Sequence, residues 1–175
     1  MKKSLYEVGN WSPTDCILSL GCGAAWWEIK QTMAQEAGEL LLLDTNKDVL
    51  NWPDLDEAIA YFEEQYGKKA TTPASIFHAD AGQIPLSDET ADQIWLLNSL
   101  HELDNLEAVL AEIDRVLKTD GCVIVEEILS GGVHEGCGKR LFTRSEIVGL
   151  FASHDLHVVY EGSKDEEADY IKFGR

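Results

Sequence analysis

Three short segments of this chain carry residues whose types and spacing could do chemistry. Gly21-Cys22-Gly23 follows the apolar run CILSL (16–20). Asp44 closes a second apolar run, ELLLLD (39–44), and Asp80 closes a third, ASIFHAD (74–80). Two glycines at a strand-to-helix turn let the backbone approach a ligand closely. The helix N-terminus behind them offers free N–H groups and a partial positive charge. Asp44 lies 21 residues after Gly23, near the ~20 expected of an acid that accepts from ribose hydroxyls. A nicotinamide fingerprint, G-x-G-x-x-G, would need glycine at position 26. That position is Trp26, whose bulk blocks close approach of a pyrophosphate, so a nucleotide-binding oxidoreductase is disfavoured.

Proton transfer has two candidates, His101 and His134, because both follow the carboxyl ends of expected strands. Each also has a plain reading, His101 as a helix-start residue packed on the surface and His134 as a solvated loop residue. Cys137, in the same loop as His134, reads as an incidental thiol. Trp26 and Trp27 open the first helix as core or interface residues, or as a wall of the ligand site. Glu126 and Glu127 end a strand, and alternation turns one of them inward or toward the site. The glycine-rich stretch 130–139 superficially suggests a phosphate loop. Its spacing does not fit G-x-x-x-x-G-K-[ST], since Arg140 follows Lys139. It is expected to be a mobile cover for the site.

Elements must position these residues. Apolar runs at 16–20, 39–44, 74–80, 92–100 and 122–129 read as buried strands. Between them lie helical periodicities at 25–37 (Ile29, Met33, Ala37), from Pro53 to Gly67 (Leu55, Ile59, Phe62, Tyr66) and at 106–118, with Asn105 as its cap. Asp120-Gly121 is expected to turn the chain into the fifth strand. Thr143 opens a capping-box pattern, T-R-S-E, before a helix at 144–153. Two final strands, DLHVVYEG and ADYIKFGR, are separated by a hairpin-length segment. Strict alternation of strand and helix demands a parallel sheet covered on both faces, and the hairpin makes the last strand antiparallel. The expectation is an α/β, Rossmann-like, doubly wound sheet, one domain over residues 1–175 with 1–15 as a short N-terminal extension. In such sheets ligands bind beyond the carboxyl ends of the strands.

Composition narrows the partners. Lys+Arg is 14 against Asp+Glu 32, a formal charge of −18 in 175 residues. That balance argues against nucleic acid and against an anionic membrane surface. No apolar run approaches a membrane span and the N-terminus lacks a signal-peptide core, so the expected location is the cytoplasm. The four cysteines have no C-x₂₋₄-C spacing and are expected as free thiols, Cys16 and Cys122 in the core. No metal is expected.

The chain resembles the class I S-adenosylmethionine-dependent methyltransferases, nearest the ubiquinone/menaquinone-biosynthesis type of small-molecule methyltransferase. ILSLGCGAA is similar to the family's first motif, LLLLDTN to its second, and HADAGQIPLSDETADQIWLLNSLHEL to its acidic-loop stretch into strand four. LAEIDRVLKTDGCVIVEEI, the most specific segment, is similar to its helix–turn–strand-five signature. The resemblance implies a seven-stranded sheet, mostly parallel, with strand seven antiparallel, and S-adenosylmethionine as cofactor. It implies that Gly21, Cys22 and Gly23 pass under the methionine part, and that Asp44 and Thr45 meet the ribose. Asp80 would accept from the adenine amino group, with the backbone of Ala81 at the ring edge. Asn98 would offer its carbonyl near the ammonium or sulfonium side. His101 and His134 would supply a base where the acceptor needs one.

Two departures stand out: Ser19 occupies the place of the family's first-motif acid, and Ala25 that of its third glycine. They open the alternative of a catalytically weakened binding or scaffold protein. The expected acceptor is a small molecule, with a protein acceptor as the other alternative. Only the loop 129–142 is long enough to act as a lid, so the pocket is expected to be either shallow or completed by another molecule: the chain forms a homodimer, or it accepts part of a larger molecule.

Overall fold

The computed structural model describes residues 2–175. Strands β1 (Cys16–Leu20), β2 (Glu39–Leu43), β3 (Ala74–Phe77), β4 (Ala91–Leu97), β5 (Leu117–Glu127), β6 (His157–Ser163) and β7 (Asp169–Gly174) form one sheet of order β3-β2-β1-β4-β5-β7-β6. The first five pair in parallel. β7 runs antiparallel to both β5 and β6, as the hairpin-length segment predicts. Strand order reverses between β1 and β4, so a crevice opens at their carboxyl ends.

Side-chain alternation along the strands feeds two cores. Leu18, Leu20, Leu41, Leu43, Ile94 and Leu96 face one layer, built by α4 (Leu106–Val116) and α5 (Arg144–Ala152) through Val109, Ile113, Ile147 and Phe151. Ile17, Leu40, Leu42 and Trp95 face the other, built by α1 (Leu5–Gly9), α2 (Trp26–Ala34) and α3 (Trp52–Tyr66). Strands buried on both faces explain the unbroken apolar runs. The capping box at Thr143 forms with both arms, Thr143 accepting from Glu146 N–H and Glu146 accepting from Thr143 N–H.

The structure departs from the expected boundaries for physical reasons. α2 stops at Ala34, before Gly38. Gly38 serves a close approach instead, since a Cβ there would lie 2.7 Å from the Thr14 carbonyl. β3 ends at Phe77, which leaves Asp80 on the following loop. Asn105 occupies the cap position of α4 but makes no side-chain capping bond. Asp120-Gly121 is no turn: both lie inside β5, beside a register shift against Ala91 and Gln93. A Cβ at Gly121 would sit 2.6 Å from Leu117 Cδ1.

The N-terminal segment is structured. Ser4 and Glu7 form a capping box over α1, a signal present in S-L-Y-E. Trp11 then plugs the sheet face, 2% exposed, with its ring 5.1 Å from that of Trp95 and its Nε1 donating to the Gln35 carbonyl at 3.0 Å. Trp11→Ala is therefore expected to cost about 3–5 kcal/mol, read as a lowered urea midpoint. An unshifted midpoint would show that residues 2–15 do not belong to the folding unit.

Candidate functional site

The loop after β1 is fastened to the end of β2. The Leu43 carbonyl accepts from Gly21 N–H at 2.8 Å and from Cys22 N–H at 3.3 Å. Gly21, Gly23 and Ala25 all adopt positive φ, +66°, +54° and +58°. At Gly21 space also matters, because a Cβ would lie 3.0 Å from Ser99 Cβ at the end of β4. Ala25 holds the left-handed conformation with a methyl group, a strain of roughly 1–2 kcal/mol relative to glycine. Asp44 binds the loop from below, its Oδ2 accepting from Gly23 N–H at 2.8 Å and its Oδ1 from Asn46 N–H at 2.9 Å.

Two hollows flank this loop. On one side a cleft of about 140 Å³ is walled by Gly21, Asp44, Thr45, Asp80, Ala81 and Glu102. Asp80 accepts from Gly82 N–H at 2.7 Å and is exposed to the cleft, while Ala81 is buried. On the other side a crevice of about 320 Å³ lies among Cys22, Trp26, Trp27, Glu28, Asn98 and Glu126. Asn98 is exposed there, with φ +54° and its N–H donated to the Glu126 carbonyl at 2.7 Å. Both tryptophans thus wall the crevice, and Trp26 also packs against Tyr61 and Phe62 of α3.

The crevice is charged in an unusual way. Glu28 is 3% exposed, and its Oε1 accepts from Ser19 Oγ at 2.7 Å. Burial pushes its carboxyl up to about 7, against the pull of the Ser19 hydroxyl, and Glu126 and Asp44 push in the same upward direction. The Glu28 carboxyl, carried by α2, thus sits beside Ser19, the position where the resemblance implies an acid. Glu126 is also buried, its Oε1 held by Lys164 Nζ at 2.6 Å. Its Oε2 makes no close hydrogen bond among the described residues, although the Tyr170 hydroxyl lies against the Glu126 carboxyl; the buried indole nitrogen of Trp27 has no partner among them either. Glu126 and Trp27 both line this crevice, and their unmet acceptor and donor, buried until side chains turn, suit the ammonium and carboxylate of an amino-acid tail. The residues present thus fit S-adenosylmethionine: acids for a nucleoside on one side of the glycine loop, partners for a zwitterion on the other. Cys22, between them, has its thiol held neutral by burial.

The histidines meet at the ends of β4 and β5. His101 lies in a short 3-10 turn, Leu100–Glu102, and is buried. Its Nδ1 bonds Glu127 Oε2 at 2.8 Å, and its backbone N–H donates to Glu127 Oε1 at 3.2 Å. Burial raises the Glu127 carboxyl and His101 opposes that rise. The His134 ring stands 4.9 Å from the His101 ring, centroid to centroid.

Of the residues singled out from sequence, Gly21, Asp44, Thr45, Asp80 and Ala81 share the cleft, and Cys22 and Asn98 share the crevice. Gly23 joins the two through Asp44. His101 and His134 form a separate pair beside the cleft wall at Glu102. Sequence reasoning missed Glu28 and the Glu127–His101 bond. A signal for Glu28 existed, since in W-W-E-I-K it adjoins Ile29 on the apolar stripe, where an unpaired acid needs a reason. Glu127 gave none, because its partner lies 26 residues away.

A family model described as a methyltransferase domain matches residues 18–125. A malonyl-[acyl-carrier protein] O-methyltransferase of Buchnera aphidicola subsp. Baizongia pistaciae is 27% identical over 119 residues, 68% of this chain and 42% of that protein. The chain thus spans less than half the length of that curated relative. Among solved structures, a SAM-dependent methyltransferase of Methanosarcina mazei superposes with a TM-score of 0.76 at 15% identity, covering 99% of this chain and 98% of that one. The [4+2]-cyclase SpnF superposes with a TM-score of 0.69 at 18% identity, covering 90% of this chain and 56% of that one. With the match running from β1 through β5, over the glycine loop and both cleft acids, the chain belongs to the methyltransferase-domain family, on the class I fold whose cofactor is S-adenosylmethionine.

Proposed function

We propose that this chain methylates a small-molecule acceptor, using S-adenosylmethionine bound across the carboxyl ends of β1 to β4. The observation that carries the reading is the unmet pair at the crevice, Glu126 Oε2 and Trp27 Nε1, on the far side of the glycine loop from Asp44 and Asp80. The backbone of Gly21, Cys22 and Gly23 runs under the methionine part. Asp44 and Thr45 hold the ribose, and each Asp44 oxygen keeps a second lone pair beyond its backbone bond. Asp80 and the backbone of Ala81 hold the adenine. Asn98, Glu28 and Glu126 surround the ammonium end, Asn98 through its carbonyl. Glu28 removes one reason to read the chain as a weakened scaffold.

When bound, the cofactor supplies a methyl group already activated on a sulfonium. The protein's work is then alignment and exclusion of water. Donation of Nδ1–H to Glu127 leaves the Nε2 lone pair of His101 free to take a proton from an acceptor, and the His134 ring lies beside it, tilted by 31°. The hairpin 130–142 covers this end, held down by Lys139 Nζ donating to the Glu102 carbonyl at 2.8 Å. The acidic composition favours a small acceptor over nucleic acid, and so slight a cover leaves room for a second copy to complete the pocket. The exposed aromatics Trp26, Trp52, Tyr61 and Tyr66 of α2 and α3 would supply the face of a homodimer. Since the fold also serves the cyclase SpnF, the assay must follow the labelled methyl group into product.

Asp44→Ala removes charge-assisted hydrogen bonds to the ribose worth about 1.5–3 kcal/mol each. Titration calorimetry with S-adenosylhomocysteine should show a loss of roughly 10–100-fold in affinity. Undiminished affinity would move the nucleoside elsewhere. pH gives a second reading. An ammonium beside Glu28 favours its ionised form, so cofactor affinity should be flat above about pH 7 and fall by up to about tenfold per unit below it. The free chain behaves oppositely. The raised carboxyl makes ionised Glu28 costly, a cost absent below its ordinary value of 4.5 and complete above about 7. Stability should therefore fall between those limits. Glu28→Gln should abolish the affinity slope and lessen the stability slope, to which the raised Glu127 carboxyl also contributes; a variant that keeps the affinity slope would exclude Glu28 from the cofactor site.

A further inference from the structure

The tip of the 130–142 hairpin carries a second constellation, apart from the residues that would hold the cofactor. Bridges between Ser130 and Thr143 and between Val133 and Arg140 shape the hairpin. At its tip His134 N–H donates to the Lys139 carbonyl and Gly138 N–H to the His134 carbonyl, both at 2.8 Å. That tight turn brings Cys137 round beside the His134 ring. The hairpin is docked so that His134 faces His101. One ligand atom from each of His101, His134 and Cys137 lies within 4.8 Å of the other two.

His101 is prepared for more than packing. The carboxylate of Glu127 fixes its Nδ1 as the donor, which leaves Nε2 as a lone pair. That Nε2 is fully buried and has no hydrogen-bond partner among the described residues. The nearest charged group, Glu102 Oε1, is 4.0 Å away. A buried acceptor without a donor is costly, and a cation removes that cost. A carboxylate behind a histidine, with the opposite ring nitrogen open, is how metal-ligating imidazoles are commonly oriented.

We propose that His101, His134 and Cys137 form a divalent transition-metal site of zinc type, with Glu127 as the group that orients His101. Two imidazoles and a thiolate suit zinc, and three protein ligands leave a fourth position open. The ligand atoms stand wider apart than in a closed tetrahedron, and rotation of the Cys137 and His134 side chains on the hairpin tip is the adjustment required. The Nδ1 of His134 now accepts from the N–H groups of Gly136 and Cys137, both at 3.2 Å. These two long hydrogen bonds are given up whichever ring nitrogen takes the ion. The proposal rests on the preceding reading only for what the open position does. There the ion takes the His101 lone pair, so with metal bound His101 is a ligand and no longer the base, and an acceptor hydroxyl or thiol bound to the ion would lose its proton to solvent more readily, as zinc-bound water does. The ion also clamps the hairpin over the end of β4.

The test is metal binding by the intact chain with Zn²⁺ and Co²⁺, alongside calorimetry with S-adenosylhomocysteine. The expected result is one Zn²⁺ per chain retained after dialysis, and a thiolate-to-cobalt absorption band on loading with Co²⁺. Cys137→Ser should abolish that band, whereas Cys122→Ser should leave it. His134→Ala should weaken Zn²⁺ by tenfold or more, and Glu127→Gln by about 10–100-fold. Both hairpin variants lie on an exposed tip, so their circular dichroism should match the parent. With 32 acidic residues the chain can bind Zn²⁺ loosely at its surface; retention unaffected by Cys137→Ser and His134→Ala would overturn the site. Cofactor affinity is read separately. Its absence with the metal band intact would sink the methyltransferase reading and leave the site standing, and the reverse pattern would sink the site alone.

Discussion

Two buried carboxylates facing one crevice impose the central constraint on this molecule. Glu28 and Glu126 are both withdrawn from water, and one lysine, Lys164, answers a single oxygen of the second. Like charges at close range in a low-dielectric setting are costly unless a cation joins them. Protonation of Glu28, pushed up to about 7, relieves that cost in the free chain, and in the proposed reading a positive group relieves it when bound. The glycine loop, the positive φ at Ala25 and the fastening to the Leu43 carbonyl all hold that crevice open beside the cleft that contains Asp44 and Asp80.

Much of this was legible in the residues. Continuous Leu/Ile/Val runs bounded by glycine and acid predicted five parallel strands, and the short EGSKD segment predicted the antiparallel end. The cleft was legible because its residues fall at the ends of strands, where spacing along the chain translates directly into position. Other features depended on contacts that spacing cannot reveal. Gly38, just beyond the periodicity over 25–37, is needed for its approach to Thr14. Asp120-Gly121 was read as a turn, yet the strand absorbs it as an irregularity against β4. Ser19 looked like a lost acid, because the carboxyl beside it comes from the next helix rather than the same strand.

The two halves of the site differ in how they are built. The half proposed for the cofactor is framed by strand ends and backbone. The half proposed for the acceptor combines one buried residue, His101, with a hairpin held by a few polar contacts such as Lys139 to the Glu102 carbonyl. A rigid cradle beside an adaptable cover is the division expected where one ligand is constant and the other varies, since loops tolerate change that sheet cores do not.

The most direct test is a crystal structure of the chain with S-adenosylhomocysteine. The account predicts the ammonium of its amino-acid tail against Glu126 Oε2, its carboxylate on the Trp27 indole nitrogen, and its ribose on Asp44. A tail that leaves both crevice atoms unpartnered, or a nucleoside bound away from Asp44 and Asp80, would contradict it.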